Sequence, residues 1–215
     1  MQYNFISIEG NIGAGKTSLA RRLSSDYDAR LILESFSENP FLPKFYKNPE
    51  KYAFSLELFF MSERYSQMQE QDLFHSLTIS DYLFVKSKLF AQNNLKHDEL
   101  FLFNKLFNSM SVSIPTPKLV VYLYSSIERL QHNIKIRGRG FEQYISNEYL
   151  QNIQDKYLDY LHKQQIHPTL IIDTTNIDFL KNEMEYQKIK SAIKSNYKIG
   201  VHNLTITNSI NQEEE

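Results

Sequence analysis

Along the chain, short apolar runs alternate with longer stretches in which apolar residues recur every three or four positions, the two periods that separate strands from helices. Phe5-Ile6-Ser7-Ile8 reads as a buried strand, a glycine-rich turn follows, and Lys16 to Leu23 carries helical spacing. A second strand is expected at Arg30 to Leu33, ending on Glu34. The stretch Glu38 to Asn48, interrupted by Pro40 and Pro43, is expected to be irregular or a short helix, and a long helix runs from Pro49 toward Gln71. Leu77 to Ile79 is a further strand candidate, Lys86 to Ala91 begins another helix, and Glu99 to Met110 keeps the helical pattern until Pro115 and Pro117 break it. Leu119 to Leu123 is the clearest strand. Ser125, with Glu128 three residues on, fits a capping box opening a helix through Ile136, which Arg137-Gly138-Arg139-Gly140 closes. Glu148 to Gln164 is helical, Thr169 to Ile172 is the last core strand, and a final helix spans Glu183 to Ser195. Strands alternating with helices imply an α/β fold: a doubly wound parallel sheet with helices on both faces. Val201 to Thr207 fits an extra edge strand, and the Gln-Glu-Glu-Glu end is expected to be disordered.

Composition bounds what such a fold can do. With 215 residues, 41% hydrophobic and 23% charged, the chain can bury one substantial core, so residues 1–199 are expected to form a single domain and 200–215 a C-terminal tail. A formal net charge of -1 supplies no long-range positive field of the kind that draws proteins onto nucleic acid or anionic membranes, so neither is an expected partner. A polyanion would have to be held locally. The chain has no cysteine, which excludes disulfides and thiolate metal sites, and no signal-peptide layout precedes the first strand; a cytoplasmic location is expected. Its longest apolar runs, such as Leu119 to Tyr124, are too short to span a bilayer.

A local anion site is present. Gly10-Asn11-Ile12-Gly13-Ala14-Gly15-Lys16-Thr17, with Ser18 next in the helix, matches the pattern G-x-x-x-x-G-K-S/T between a strand and a helix. Glycines let the backbone wrap phosphate oxygens, and the helix N-terminus adds N–H donors and a favourable dipole. Lys16 neutralises the β- and γ-phosphates, and Thr17 offers a hydroxyl to Mg²⁺. The expected fold is thus a P-loop NTPase-type three-layer α/β/α domain binding ATP.

Such a loop does not choose the acceptor. Glu34 ends the strand after the P-loop helix, where ligands collect in an open parallel sheet, and there it can take the proton of an attacking hydroxyl. Arg137 and Arg139 on a glycine hinge can form an Arg-rich lid that closes over a transferring phosphoryl group.

These residues resemble the deoxynucleoside kinase family, which includes deoxycytidine, deoxyguanosine and bacterial deoxyadenosine kinases. The resemblance runs to about Phe179 and rests on GNIGAGKT, Glu34, Asn39-Pro40-Phe41-Leu42, Phe45-Tyr46, the helix Tyr52 to Glu57 with Arg64, RGRGFEQYISNEYL, and Asp173 to Phe179. It implies phosphorylation of a deoxynucleoside 5′-hydroxyl by ATP with Mg²⁺ in nucleotide salvage, and a homodimer built through helices, for which the long helix from Pro49 and the segment Leu100 to Phe107 are suited. Position by position, it makes Glu34 the general base, places Tyr46 and Glu142 on the sugar 3′-hydroxyl, Arg137 and Arg139 in the lid, and Asp178-Phe179 beside the donor adenine.

Two departures stand out. Where the family has a base-reading glutamine, this chain has Glu57, on a helical face with Ala53, Phe60 and Arg64. An ionised Glu57 only accepts hydrogen bonds, which favours guanine and hence a purine deoxynucleoside; the alternative is a structural pairing with Arg64 or Lys86. Where the family has an acid-Arg-Ser strand end, this chain has Ser80-Asp81-Tyr82. In an ungapped register Asp81 takes the arginine's place and Lys86 that of a base-contacting aspartate; a one-residue gap instead puts Asp81 on the acid, where it helps order Mg²⁺. The rival functions are a nucleoside monophosphate kinase of the thymidylate kinase kind, and a nucleotide-binding protein that has lost catalysis.

Overall fold

A computed structural model describes residues 2–36, 38–70 and 74–206. Its strands are β1 (Phe5–Gly10), β2 (Arg30–Ile32), β3 (Thr78–Ser80), β4 (Leu119–Tyr124), β5 (Pro168–Asp173) and β6 (Gly200–Thr205). Its helices are α1 (Lys16–Tyr27), α2 (Leu42–Lys47), α3 (Pro49–Gln69), α4 (Lys86–Asn94), α5 (His97–Ser111), α6 (Ile127–Arg137), α7 (Asn147–Lys163) and α8 (Glu183–Lys194). All strand pairs are parallel, in the order β2-β3-β1-β4-β5-β6. Parallel strands need crossovers, and the helices that supply them cover both faces.

Alternation along the strands sorts the two cores. Leu119, Val121 and Leu123 of β4 join Ile6 and Ile8 of β1 against Leu19 and Leu23 of α1, Leu130 and Ile134 of α6, and Ile189 and Ile193 of α8. Val120 and Tyr122 point the other way, onto Leu89 of α4 and Ile153, Tyr157 and Leu161 of α7. Beside them α2, α3 and α5 pack a third cluster around Phe45, Phe60, Met61, Phe103 and Phe107. The result is the expected three-layer doubly wound fold.

Three details differ from expectation. The third strand falls one residue later, at Thr78–Ser80. The residue capping α6 is Ser126, whose Oγ accepts the Arg129 N–H at 3.2 Å, and not Ser125. The physical reason is that β4 continues through Tyr124 and leaves Ser125 buried behind the strand end, so the helix starts one residue later. The apolar segment Leu100 to Phe107 is divided: Phe103 and Phe107 are core, while Phe101, Leu102 and Leu106 are exposed. Gln71, Thr207 and the Gln-Glu-Glu-Glu end lie outside the described residues.

From β1 the sheet extends through β3 and β2 on one side and β4, β5 and β6 on the other. Its carboxyl end is therefore the switch point at which ligands enter a sheet of this class. Among the described residues no helix is long and apolar enough to cross a membrane.

Candidate active site

The P-loop leaves β1 at that switch point. Asn11 shapes it, donating to the Leu150 carbonyl at 2.8 Å and accepting the Ile12 N–H at 2.8 Å. Gly13 takes φ 87°, and a Cβ there would lie 2.8 Å from the Leu130 carbonyl oxygen, so both conformation and space require glycine. Gly15, at φ 88°, starts α1 without a side-chain cap or an acidic first turn, leaving the helix N-terminus for an anion. Gly10 and Ala14 complete the loop, Ser18 sits in the first turn of α1, and Lys16 folds back to donate to the Asn11 carbonyl at 2.9 Å. Desolvation brings the Lys16 ammonium down to about 8, with Lys86 pushing the same way and Glu9, Glu34 and Asp81 opposing.

Glu34, two residues beyond β2, ties α3 and α4 together at the cavity. Arg64 of α3 donates to its Oε1 from Nε at 3.0 Å and from Nη2 at 2.5 Å, and Lys86 of α4 donates to its Oε2 at 2.8 Å. Burial alone would raise this carboxyl, but Lys86 and Arg64 outweigh it and hold Glu34 well below the usual carboxylate range. Asp81 joins the two halves of the site: its Oδ1 accepts the Glu34 backbone N–H at 2.8 Å and its Oδ2 accepts the Thr17 hydroxyl at 2.5 Å. Asp81 thus sits on the P-loop threonine, whereas Lys86 reaches Glu34 and supplies the cation that the strand end lacks.

Glu57, about two turns before Arg64 on α3, is fully buried. It pairs with neither Arg64 nor Lys86; its Oε1 accepts the Asn94 amide at 2.7 Å and its Oε2 has no partner. Burial, against the pull of Arg64, lifts this carboxyl from 4.5 to about 7. Across the cavity α6 ends at Gly138 with φ 71°, turning Arg137 and Arg139 inward onto Glu142 at 2.5 and 3.1 Å. The Arg139 guanidinium lies 3.4 Å from the centroid of Phe36, and Tyr46 stacks on Phe141. Burial, then Glu142, raises the Tyr46 hydroxyl. Lys16, Thr17, Glu34, Tyr46, Glu57, Arg64, Asp81, Lys86, Arg137, Arg139 and Glu142 all line this one cavity. Phosphate-loop and carboxylate chemistry therefore share a single space.

The deoxynucleoside kinase family model matches residues 6–198. The chain belongs to the deoxynucleoside kinase family. Its curated relatives include the deoxyguanosine kinase of Bacillus subtilis (strain 168), 35% identical over 88% of this chain and 96% of that protein. They also include the deoxyadenosine kinase of Dictyostelium discoideum, 31% identical over 88% of this chain and 79% of that protein. Among solved structures, deoxyadenosine kinase from M. mycoides with dCMP and a flexible dCDP bound shares the fold, with TM-score 0.75 and 23% identity over 88% of this chain and 100% of that one. The same enzyme with bound dATP superposes with TM-score 0.75 at 22% identity, over 89% of this chain and 100% of that one. This kinase is accordingly an ATP-dependent phosphotransferase acting on a deoxynucleoside, and the monophosphate-kinase and lost-catalysis readings are not favoured.

Of the remaining expected residues, the kinase keeps Asp178 and Phe179 in the loop after β5. The Phe179 ring is buried against Gly15, and the Asp178 N–H donates to Glu185 at 2.6 Å. Four residues of the site were not read from the sequence. Asn94 and Tyr149 meet beside Glu57, and Ser87 accepts from Arg64 at 2.8 Å. Glu9 lies buried under the P-loop, accepting the Gly10 and Leu83 N–H groups at 3.2 and 2.6 Å. Only Glu9 left a signal, as a charge inside an otherwise apolar buried strand.

Proposed function

We propose that this kinase transfers the terminal phosphoryl group of ATP to the 5′-hydroxyl of a purine deoxynucleoside, preferring guanine. The observation that carries the reading is the placement of Glu34, held ionised by Arg64 and Lys86, in the same cavity as Lys16 and Thr17. Phosphoryl transfer asks the protein for positioning and charge stabilisation more than for covalent chemistry. In this reading the P-loop N–H groups and Lys16 hold the donor phosphates, and Asp178-Phe179 border the donor base. Glu34 accepts the 5′-hydroxyl proton as the new phosphorus–oxygen bond forms and the bond to the β-phosphate oxygen breaks. Arg137 and Arg139 turn from Glu142 to the charge on the moving group, while Tyr46 and Glu142 hold the 3′-hydroxyl.

The Thr17 hydroxyl and Asp81 carboxylate, 2.5 Å apart, are hard oxygen donors that suit Mg²⁺ bound chiefly through substrate phosphates. When bound there, Mg²⁺ would neutralise charge on the β- and γ-phosphates. Guanine is favoured because Glu57, which lines the cavity, has an unpartnered acceptor oxygen, and the deoxyguanosine kinase of Bacillus subtilis is 35% identical. Two further parts of the reading are a cytoplasmic location and a homodimer through helices, the latter supported by exposed Phe101, Leu102 and Leu106 on α5; light scattering that finds a monomer removes it.

The test is ADP release with each common deoxynucleoside, for the wild type and Glu34→Gln. The expected result is turnover with purine deoxynucleosides, lowered roughly 10²–10⁴-fold in the variant. Absence of deoxynucleoside-dependent ADP release with every substrate overturns the proposal.

A further inference from the structure

The two oxygens of Glu57 differ: one accepts a hydrogen bond and the other has no partner. Asn94, the last residue of α4, spends its amide group on two neighbours, Glu57 Oε1 at 2.7 Å and the Tyr149 hydroxyl at 3.2 Å. Its own carbonyl accepts from Asn93 at 3.1 Å. Glu57 Oε2 is buried and has no partner, and the residue lines the cavity. A buried carboxylate oxygen left unsatisfied is costly, and in a cavity wall a ligand is what can satisfy it. The amide donor on Oε1 also decides where a proton goes. An oxygen already accepting from Asn94 stays an acceptor, so a protonated Glu57 carries its hydrogen on Oε2.

Resting on the base-reading role given to Glu57 above, we propose that Asn94 and Glu57 act as one specificity unit whose base preference changes with protonation. Ionised, Oε2 accepts from the N1–H and N2–H edge of guanine. Protonated, it donates to N1 of adenine, which has no hydrogen there. Asn94 is the positioning residue, since it fixes which oxygen meets the base.

The surroundings place this change in an accessible range. Around Glu57 stand Arg64 on its own helix, Lys86 from α4, Glu34 after β2, Tyr46 from α2 and Tyr149 from α7. Both cations are engaged by Glu34, which leaves burial dominant and brings Glu57 to about 7. The ratio of ionised to protonated Glu57 then changes about a hundredfold between roughly pH 6 and pH 8.

The experiment measures kcat/KM for deoxyguanosine and deoxyadenosine across that range with the full chain, for the wild type, Asn94→Ala and Glu57→Gln. In the wild type the deoxyguanosine-to-deoxyadenosine ratio is expected to climb by up to about a hundredfold with pH. In Glu57→Gln it is expected to be flat and different in value. In Asn94→Ala the climb is expected to shrink at least threefold, because neither oxygen of Glu57 is then reserved as an acceptor. A probe that needs no variant is 1-deaza-2′-deoxyadenosine, whose C–H replaces N1; it is expected to lose the low-pH gain that deoxyadenosine shows. A wild-type ratio that does not move with pH, equal gains for the deaza probe, or an Asn94→Ala profile identical to the wild type overturns the proposal. If Glu57→Gln leaves the ranking of bases unchanged at every pH, the base-reading role itself fails; if it changes the ranking while the wild-type ratio is flat, only the protonation switch fails.

Discussion

Replacing Lys86 with methionine tests what orders the acceptor carboxylate. Methionine keeps an unbranched stem beside Phe90, whose ring centroid is 5.6 Å from the Lys86 ammonium, and removes the hydrogen bond of 2.8 Å to Glu34 Oε2. Stranding a buried charge costs about 3–5 kcal/mol. Here Arg64 still grips Oε1 through two bonds of 3.0 and 2.5 Å, so Glu34 is not stranded. The loss is one charge-assisted hydrogen bond, about 1.5–3 kcal/mol. For a chain of this size that lowers the melting temperature by roughly 3–12 °C. Catalysis is more sensitive than stability, because a carboxylate free to turn about its Arg64 contact is no longer fixed in the cavity it shares with Lys16 and Thr17. Displacements of about 1 Å at a reacting group can cost on the order of 10²-fold. Lys86→Met is therefore expected to lose roughly 10–100-fold in kcat, with KM for ATP unchanged, and Lys86→Arg is expected to recover part of the loss. The assay is initial-rate ADP release with ATP and deoxynucleoside varied independently, alongside thermal melts. A variant with wild-type kcat refutes the reasoning, because Lys86 would then not be what orders Glu34.

Three other perturbations probe separate parts of the site. Asp81→Asn weakens the contact with Thr17 and the brace on the Glu34 backbone, so Mg²⁺ titrations of the rate are expected to show a half-saturating concentration raised about 10–100-fold. Unchanged Mg²⁺ dependence removes Asp81 from that role. Because burial raises Glu57 from 4.5 to about 7, the folded chain favours the protonated form. Its contribution is greatest below about 4.5 and is lost as pH rises toward about 7, at up to roughly 1.4 kcal/mol per pH unit. Denaturant melts of Glu57→Gln are expected to lose this slope and to show a more stable protein than the wild type at about pH 8; parallel curves contradict it. Gly13→Ala forces a Cβ to within 2.8 Å of the Leu130 carbonyl at φ 87°, and is expected to cost more than about 2 kcal/mol and to abolish ATP binding by calorimetry. Normal ATP affinity in that variant rules out the tight P-loop approach.

Sequence by itself determined the features whose physics is local. Strand and helix periods, the glycine punctuation of the P-loop and the proline breaks set the α/β alternation, because each depends on neighbours within a few residues. The P-loop was legible for the same reason: Gly13, Gly15, Lys16 and Thr17 work through backbone conformation and a helix N-terminus that the adjacent residues create. Glu34 and the Arg137-Gly138-Arg139 turn were legible through their places at element ends. The partners of the charged groups were not. Spacing put Glu57 and Arg64 on one face of α3, yet Arg64 turns to Glu34, 30 positions away, and Glu57 to Asn94, 37 positions away. Whether Asp81 or Lys86 serves Glu34 depends on how the segment between β3 and α4 turns. Register in sequence cannot express that turn, and only the stacking of β2 beside β3 fixed Asp81 on Thr17 and Lys86 on Glu34. The starting serine of α6 moved by one residue because pairing with β5 carries β4 through Tyr124. In each of these cases the deciding contact joins residues far apart in sequence, so the tertiary structure had to decide which groups meet.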